Sequence, residues 1–371
     1  MNDRNRKTDT NEIDSRKQPL WYSGRYFDYP LFGIVLGLVL FGLVMVYSTS
    51  SYRADELYGD STYFAKRQLV FELVALVGMF LVSKIDYRRY ARYSKYFLYV
   101  AIALLVLVYI IGSASHGSTR WIYIGAFGFQ PSEFAKLALI VYTADICTRK
   151  PRSLNTIKGL AKMLLLPLIT IVLIAIENLS TAIICFGIVM IIVFVASPKN
   201  WHFILMGVLG ILMCVVFIAT AGYRADRLRI WLAPEKYDDG YQTMQSLYAI
   251  GSGGFFGRGL GNSIQKMGFI PESHNDMIFS VICEELGLFG AVLTIIMFIL
   301  LIYRCTVLAI NSGDRFGGLI AVGVMAHIAV QILINISVVT NTIPPTGVPL
   351  PFISYCLLYT SDAADDLIGV D

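Results

Sequence analysis

The chain has 371 residues, of which 56% are hydrophobic and 15% charged, where soluble domains average about 45–50% and about 25%. That apolar surplus excludes a soluble globular domain as well as disordered, collagen-like and disulfide-scaffold classes, and it suffices for nine or ten membrane spans of about 20 residues each. The net charge of +4 is too small to argue for nucleic acid, so where the basic residues sit matters more than their sum.

Residues 1–29 are polar, basic and poor in aliphatics, which predicts a cytoplasmic N-terminal tail. Apolar runs follow near 30–46, 69–83, 97–111, 134–146, 163–176, 181–196, 203–221, 277–303 and 317–337. The pattern predicts an all-α polytopic membrane protein with nine transmembrane helices in a domain over 30–355. The tail carries six Lys or Arg, and the segments 84–95 and 149–162 carry five each, whereas the alternate short connections hold one, near Arg120, or none. By the positive-inside rule the N-terminus is cytoplasmic. Residues 222–276 then form one large extracytoplasmic loop between spans 7 and 8, a length that is rarely idle.

Ionisable groups at membrane depth default to functional candidates. In GSTRWIYIGAFGFQPSEFAK, Arg120 and Trp121 sit in a short loop, Pro131 suits a first helical turn, and Glu133 and Lys136 share a face at i and i+3. The pattern reads either as an interfacial Trp anchor with a self-neutralising Glu–Lys pair, or as a partly cationic wall for an anionic ligand. In PESHNDMIFSVICEELG, Asp276 lies at or near a helix start, as a cap or as a general base; Glu284 and Glu285 follow two turns later, and His274 is two residues away. A lone His gives no metal signal.

The cluster GSGGFFGRGLG follows no strand of a βαβ unit, so it is no nucleotide site; its glycines suit close backbone approach or a re-entrant segment. Arg224, Arg227, Arg229 and Arg258 are candidates for lipid phosphate or a substrate pyrophosphate. Six cysteines without CxxC spacing indicate neither zinc nor a disulfide framework. Glu72, Asn178, His327, Gln331 and Asn335 read as interhelical hydrogen-bonding groups.

Together GLVMVYSTSSY, STRWIYIGAFGFQPSEFAKLALI, ENLSTA, GYQTMQSLYAIGSGGFFGRGLGNSIQK, IPESHNDMIFSVICEELG and NTIPPTGVPLPFISY resemble, in composition and order, the FtsW/RodA (SEDS) family of bacterial glycan polymerases. The first-span sequence and VVTNTIPPTG are most similar to the FtsW division branch or its sporulation relative. The resemblance implies a peptidoglycan glycosyltransferase that joins units of lipid II, the undecaprenyl-pyrophosphate-linked disaccharide pentapeptide, by β-1,4 linkage with inversion on the outer face of the bacterial cytoplasmic membrane. It implies action at the division septum beside a class B penicillin-binding transpeptidase and other division proteins.

The family's essential aspartate falls on Asp276, with Asn275 replacing the commoner Thr, and its substrate-binding positions fall on Arg120, Trp121, Glu133 and Lys136. His274, Arg258 and Glu272 complete the substrate-contact candidates. The leaving pyrophosphate would be met by Lys136, Arg120 or a divalent cation, magnesium or manganese. A lipid II flippase and a non-catalytic divisome scaffold are the alternative readings.

The family pattern stops after Tyr355, where it continues SYGG and a tenth span; this chain continues with CLLYTSDAADDLIGVD. Residues 356–371 are therefore expected to be a truncation or an artefact.

Overall fold

The computed structural model describes residues 27–111, 113–115, 118–124, 127–199, 201–219, 222–271 and 273–355. The tail up to residue 26, Glu272 and residues 356–371 lie outside the described residues. The helices, in chain order, are α1 (Tyr29–Tyr58), α2 (Tyr63–Ser83), α3 (Arg88–Ile111), α4 (Pro131–Arg149), α5 (Ile157–Glu177), α6 (Leu179–Ala196), α7 (Trp201–Ala219), α8 (Gly222–Leu232), α9 (Tyr241–Ser252), α10 (Ile278–Ile310) and α11 (Arg315–Val339). Over their described residues the nine apolar runs are helical, with one interruption at Gly287 in the run 277–303. Among the described residues six helices, α1, α3, α5, α6, α10 and α11, are long and apolar enough to cross a membrane. The chain is thus a multi-pass membrane protein. Along α2, Val70, Leu73, Val77 and Leu81 are each more than half exposed, as are Ile204, Val208, Ile211 and Val215 on α7; such stripes need lipid or a partner to cover them.

Side-chain caps mark several helix starts. Asp28 accepts the Leu31 N–H at 2.9 Å ahead of Pro30, Asn178 accepts the Thr181 N–H at 3.1 Å, and Asp314 accepts the Gly317 N–H at 2.7 Å. Asn178 is thus a helix cap rather than an interhelical group. Glu72 likewise bonds within its own helix, accepting from Gln68 at 2.8 Å.

Three further expectations need correction. The fold is not purely helical: β1 (Ser113–Ser115), β2 (Ser118–Ile124) and β3 (Phe127–Phe129) form an antiparallel sheet in that order, pairing Trp121 with Ser113 and Ile122 with Phe129. Arg120 and Trp121 therefore sit on a strand, because Thr119-Arg-Trp-Ile-Tyr-Ile124 is aromatic and β-branched. The segment 222–276 is no simple loop, since it contains α8 and α9. The span read as continuous over 277–303 is broken at Gly287, whose φ 67° and ψ −163° are non-helical.

The basic segments gather at one end of the bundle. There Arg88 Nε meets Asp314 at 3.1 Å, Arg149 reaches the Ala91 carbonyl at 2.6 Å, and Arg315 reaches the Ala196 carbonyl at 2.8 Å. One apolar core joins α3, α4, α5, α6, α11 and Val348; a second joins α1, α9, α10, α11 and residues 350–355, with Met325 and Ile334 of α11 touching both. The candidate site lies in the second.

Candidate active site

The site is assembled by residues 340–355, a proline-rich strap that closes the described chain. Prolines and turns leave backbone carbonyls without a ladder partner, and α11 supplies donors to two of them. Gln331 Nε2 donates to the Pro349 carbonyl at 3.0 Å, and Asn335 Nδ2 to that of Val348 at 2.8 Å. These polar side chains of α11, expected to bond another helix, bond the strap instead. On its other side the strap is held by α8 and α9: Arg227 Nη1 donates to Pro345 O at 3.3 Å, Trp231 Nε1 to Asn341 O at 3.0 Å, and Ser246 Oγ to Val339 O, just before the strap, at 3.0 Å. Against α1 the approach is so close that a Cβ on Gly42 would stand 2.4 Å from the Phe352 carbonyl oxygen.

The strap in turn fixes the turn that carries Asp276. Tyr355 N–H donates to His274 O at 2.9 Å, Ser354 Oγ to Asn275 O at 2.6 Å, and Asn335 Nδ2 to Asp276 O at 2.7 Å. Ser273 Oγ ties the same turn to α1 through the Thr49 carbonyl at 3.1 Å. Three successive carbonyls are thereby captured. Ser273, His274 and Asn275 are buried, whereas Asp276 is only partly so. Met277, not Asp276, occupies the N-cap position of α10. A methyl group on Gly347 would stand 3.9 Å from Asp276 Oδ2, so the strap runs beside the carboxylate.

His274 lies inside the fold. Its ring is 4.9 Å from that of Phe64 and 5.5 Å from that of Tyr355, and its Nδ1 has no hydrogen-bond partner among the described residues. Burial, with the positive charge of Arg53, pulls its pKa from 6.5 down to about 3, so the imidazole is neutral at ordinary pH.

The other sequence candidates are distributed differently. Lys136 is buried and pairs with the half-exposed Glu133 at 2.7 Å; His327 lies within electrostatic reach of both. Trp121 is partly buried on β2. The Arg120 and Arg224 side chains, like Glu272, lie outside the described residues. Arg229 pairs with Asp226 at 3.2 Å, and Arg258 Nε stands 3.7 Å from Glu284 Oε1. Among the described residues no three His, Cys, Asp or Glu side chains come together as cation ligands.

Sequence reasoning passed over Lys266 and Ser48. Lys266 Nζ meets Glu285 at 2.8 Å and the Ser48 hydroxyl at 3.1 Å, and Ser48 donates to Glu285 at 2.7 Å. Nothing local flags Lys266, which is 19 residues from its acidic partner.

The sequence profile of the FtsW/RodA/SpoVE cell cycle protein family matches residues 29–356. The chain belongs to that family. Stage V sporulation protein E of Bacillus subtilis is 39% identical over 328 residues, covering 87% of this chain and 90% of its own. A probable peptidoglycan glycosyltransferase FtsW of Trichlorobacter lovleyi is 38% identical over 335 residues, covering 89% and 88%. A solved chain from a peptidoglycan synthase complex that coordinates polymerization and crosslinking superposes with a TM-score of 0.75 at 26% identity, covering 93% of this chain and 97% of its own. The rod shape determining protein RodA of Thermus thermophilus superposes with a TM-score of 0.65 at 25% identity, covering 93% and 96%.

Proposed function

We propose that this family member is a peptidoglycan glycosyltransferase of cell division that polymerises lipid II, with Asp276 as its general base. The observation that carries the reading is the clamped turn: strap and α11 hold the backbone from His274 to Asp276 through three carbonyls, while Asp276 itself is only partly buried, unlike its buried neighbours. A catalytic base needs a fixed backbone and a position that is not sealed in the core.

The acceptor's 4-hydroxyl oxygen attacks the anomeric carbon of the donor sugar and passes its proton to the Asp276 carboxylate. The bond from that carbon to the lipid pyrophosphate breaks, and the pyrophosphate leaves with the electron pair. Inversion needs one carboxylate on the acceptor side, because the leaving group is already a weak base. Arg120 and Lys136 are the side chains proposed to meet its charge, and Trp121, Glu133, Arg258 and Glu272 to contact the substrate. His274, neutral and enclosed, shapes the turn.

Two polar cross-links fit a bilayer placed between them. Arg304 bonds Asp28 at 2.8 Å, where α1 begins; Ser48 bonds Glu285 at 2.7 Å. Along α1 these points are about 20 residues apart, and along α10 about 19, so at 1.5 Å per residue they are separated by about 30 Å, the thickness of the hydrocarbon core. The Asp276 turn lies with the second cross-link. With the basic end cytoplasmic, it faces outward at the membrane boundary.

The decisive experiment is polymerisation of purified lipid II by the detergent-solubilised protein with its transpeptidase partner. Asp276→Ala is expected to abolish product; glycan synthesis at the parent rate overturns the assignment. The buried Lys136, paired with the half-exposed Glu133 and within electrostatic reach of His327, favours a second reading, passage of a charged headgroup through the bundle. Headgroup translocation in liposomes by the Asp276→Ala variant, without polymerisation by the parent, would establish it.

A further inference from the structure

The break at Gly287 leaves residues 278–286 as a short helix whose own C-terminal carbonyls need partners. Two come from the glycine-rich segment: Arg258 N–H donates to Glu284 O and Gly259 N–H to Glu285 O, each at 2.9 Å. The side chains of the same two residues are fully buried and grip the next stretch of that segment. Glu284 accepts from the Ser263 hydroxyl, from Ile264 N–H at 3.1 Å and from Gln265 N–H at 3.3 Å. Glu285 takes Lys266 and Ser48 at 2.8 and 2.7 Å, with Lys266 itself only 5% exposed.

Buried ion pairs are weak evidence for stability, because apolar replacements of similar volume hold such folds as well or better. This one joins three elements at a chosen place. Ser48, bonded to Glu285, is the neighbour in α1 of Thr49, whose carbonyl receives Ser273 from the Asp276 turn. The two ends of the short helix are therefore referenced to adjacent residues of α1, one through Glu285 and the other through the turn.

The geometry points to Ser48, Lys266 and Glu285 as positioning residues that set where Asp276 stands relative to α1. This deepens the glycosyltransferase reading and rests on it. None of the three touches the reacting atoms. Their loss displaces the base by fractions of an ångström to an ångström, which is enough to slow chemistry by about 10- to 100-fold while leaving substrate capture intact.

The test uses the full-length protein with its partner in the lipid II assay, with melting midpoints measured on the same preparations. Ser48→Ala removes one hydroxyl and leaves the Lys266–Glu285 pair; it is expected to keep the parent midpoint and KM while kcat falls about 10-fold. The double variant Lys266→Met/Glu285→Leu removes both charges together; it is expected to hold a midpoint near the parent's with kcat down about 100-fold. Parent kcat in both variants, or a KM that rises in proportion to any loss of kcat/KM, overturns the positioning role. A loss of kcat that follows only a fall in midpoint makes the network structural and overturns it as well. Asp276→Ala is run alongside. Should that variant polymerise at the parent rate, the general-base reading fails first; should it be inactive while the network variants work normally, only the positioning inference fails.

Discussion

His274 separates two jobs that a histidine beside the proposed general base could perform. A proton-handling imidazole needs a pKa near the working pH and a route to solvent, whereas this ring is packed against Phe64 and the edge of Tyr355 with its pKa held at about 3 by burial and Arg53. The neutral ring serves as packing, and its cost appears on the acid side. In the unfolded chain the imidazole binds a proton below pH 6.5, while the folded one does not until about pH 3. Between these values the unfolded state holds more protons, so folding weakens by about 1.4 kcal/mol for each pH unit below 6.5. His274→Phe removes the titration and keeps an aromatic ring. The variant is expected to lose less of its melting midpoint between pH 7.5 and pH 5 than the parent does; equal losses in the two proteins would remove this account.

At the scale of elements, the break in α10 decides how the site is built, and it depends on one residue. Gly287 sits at φ 67° and ψ −163°, a region essentially confined to glycine. A Cβ there would stand 2.3 Å from Gly257 N and 2.6 Å from Phe255 O. Gly287→Ala is therefore expected to destabilise the protein by at least about 1–3 kcal/mol and to abolish polymerisation with it. Gly78→Ala, in α2 where nothing lies within 4 Å, is expected to leave the midpoint unchanged or raise it slightly. Comparable losses in the two variants would mean that the break carries no special constraint.

The same break shows what the sequence could and could not convey. Apolar runs of 13 or more residues are legible because a helix that crosses or packs in a membrane must be apolar along its length, and the described residues of these runs are helical apart from the break at Gly287. A glycine inside such a run looks like any other small residue, since its backbone angles depend on the partner that approaches it. Asp276 and the Glu133–Lys136 pair were legible because each motif is local. The partners of Glu285 were not, because Lys266 and Ser48 reach it only when three distant segments converge. The sheet was hidden because the partners of β2, β1 and β3, have only three residues each.

For the whole molecule, orientation follows from combining charge with geometry. The segments rich in Lys and Arg, 84–95 and 149–162, meet at the bundle end that also holds Asp314, Arg315 and the Asp28–Arg304 pair. At the opposite end lie the turn after α1, the sheet, and the strap with the Asp276 turn. Translocation disfavours clustered Lys and Arg on the outer side, and on that ground the proposed orientation puts the basic end in the cytoplasm and the site outside. Gly59 closes α1 at an open position with nothing within 4 Å, and Arg152 lies in the exposed turn after α4. A membrane-impermeant maleimide applied to intact cells is expected to label Gly59→Cys above the background of the native cysteines, and Arg152→Cys only after lysis. Labelling of Arg152→Cys in intact cells would invert the topology and put Asp276 on the wrong face for an extracellular polymerase, whatever its local geometry.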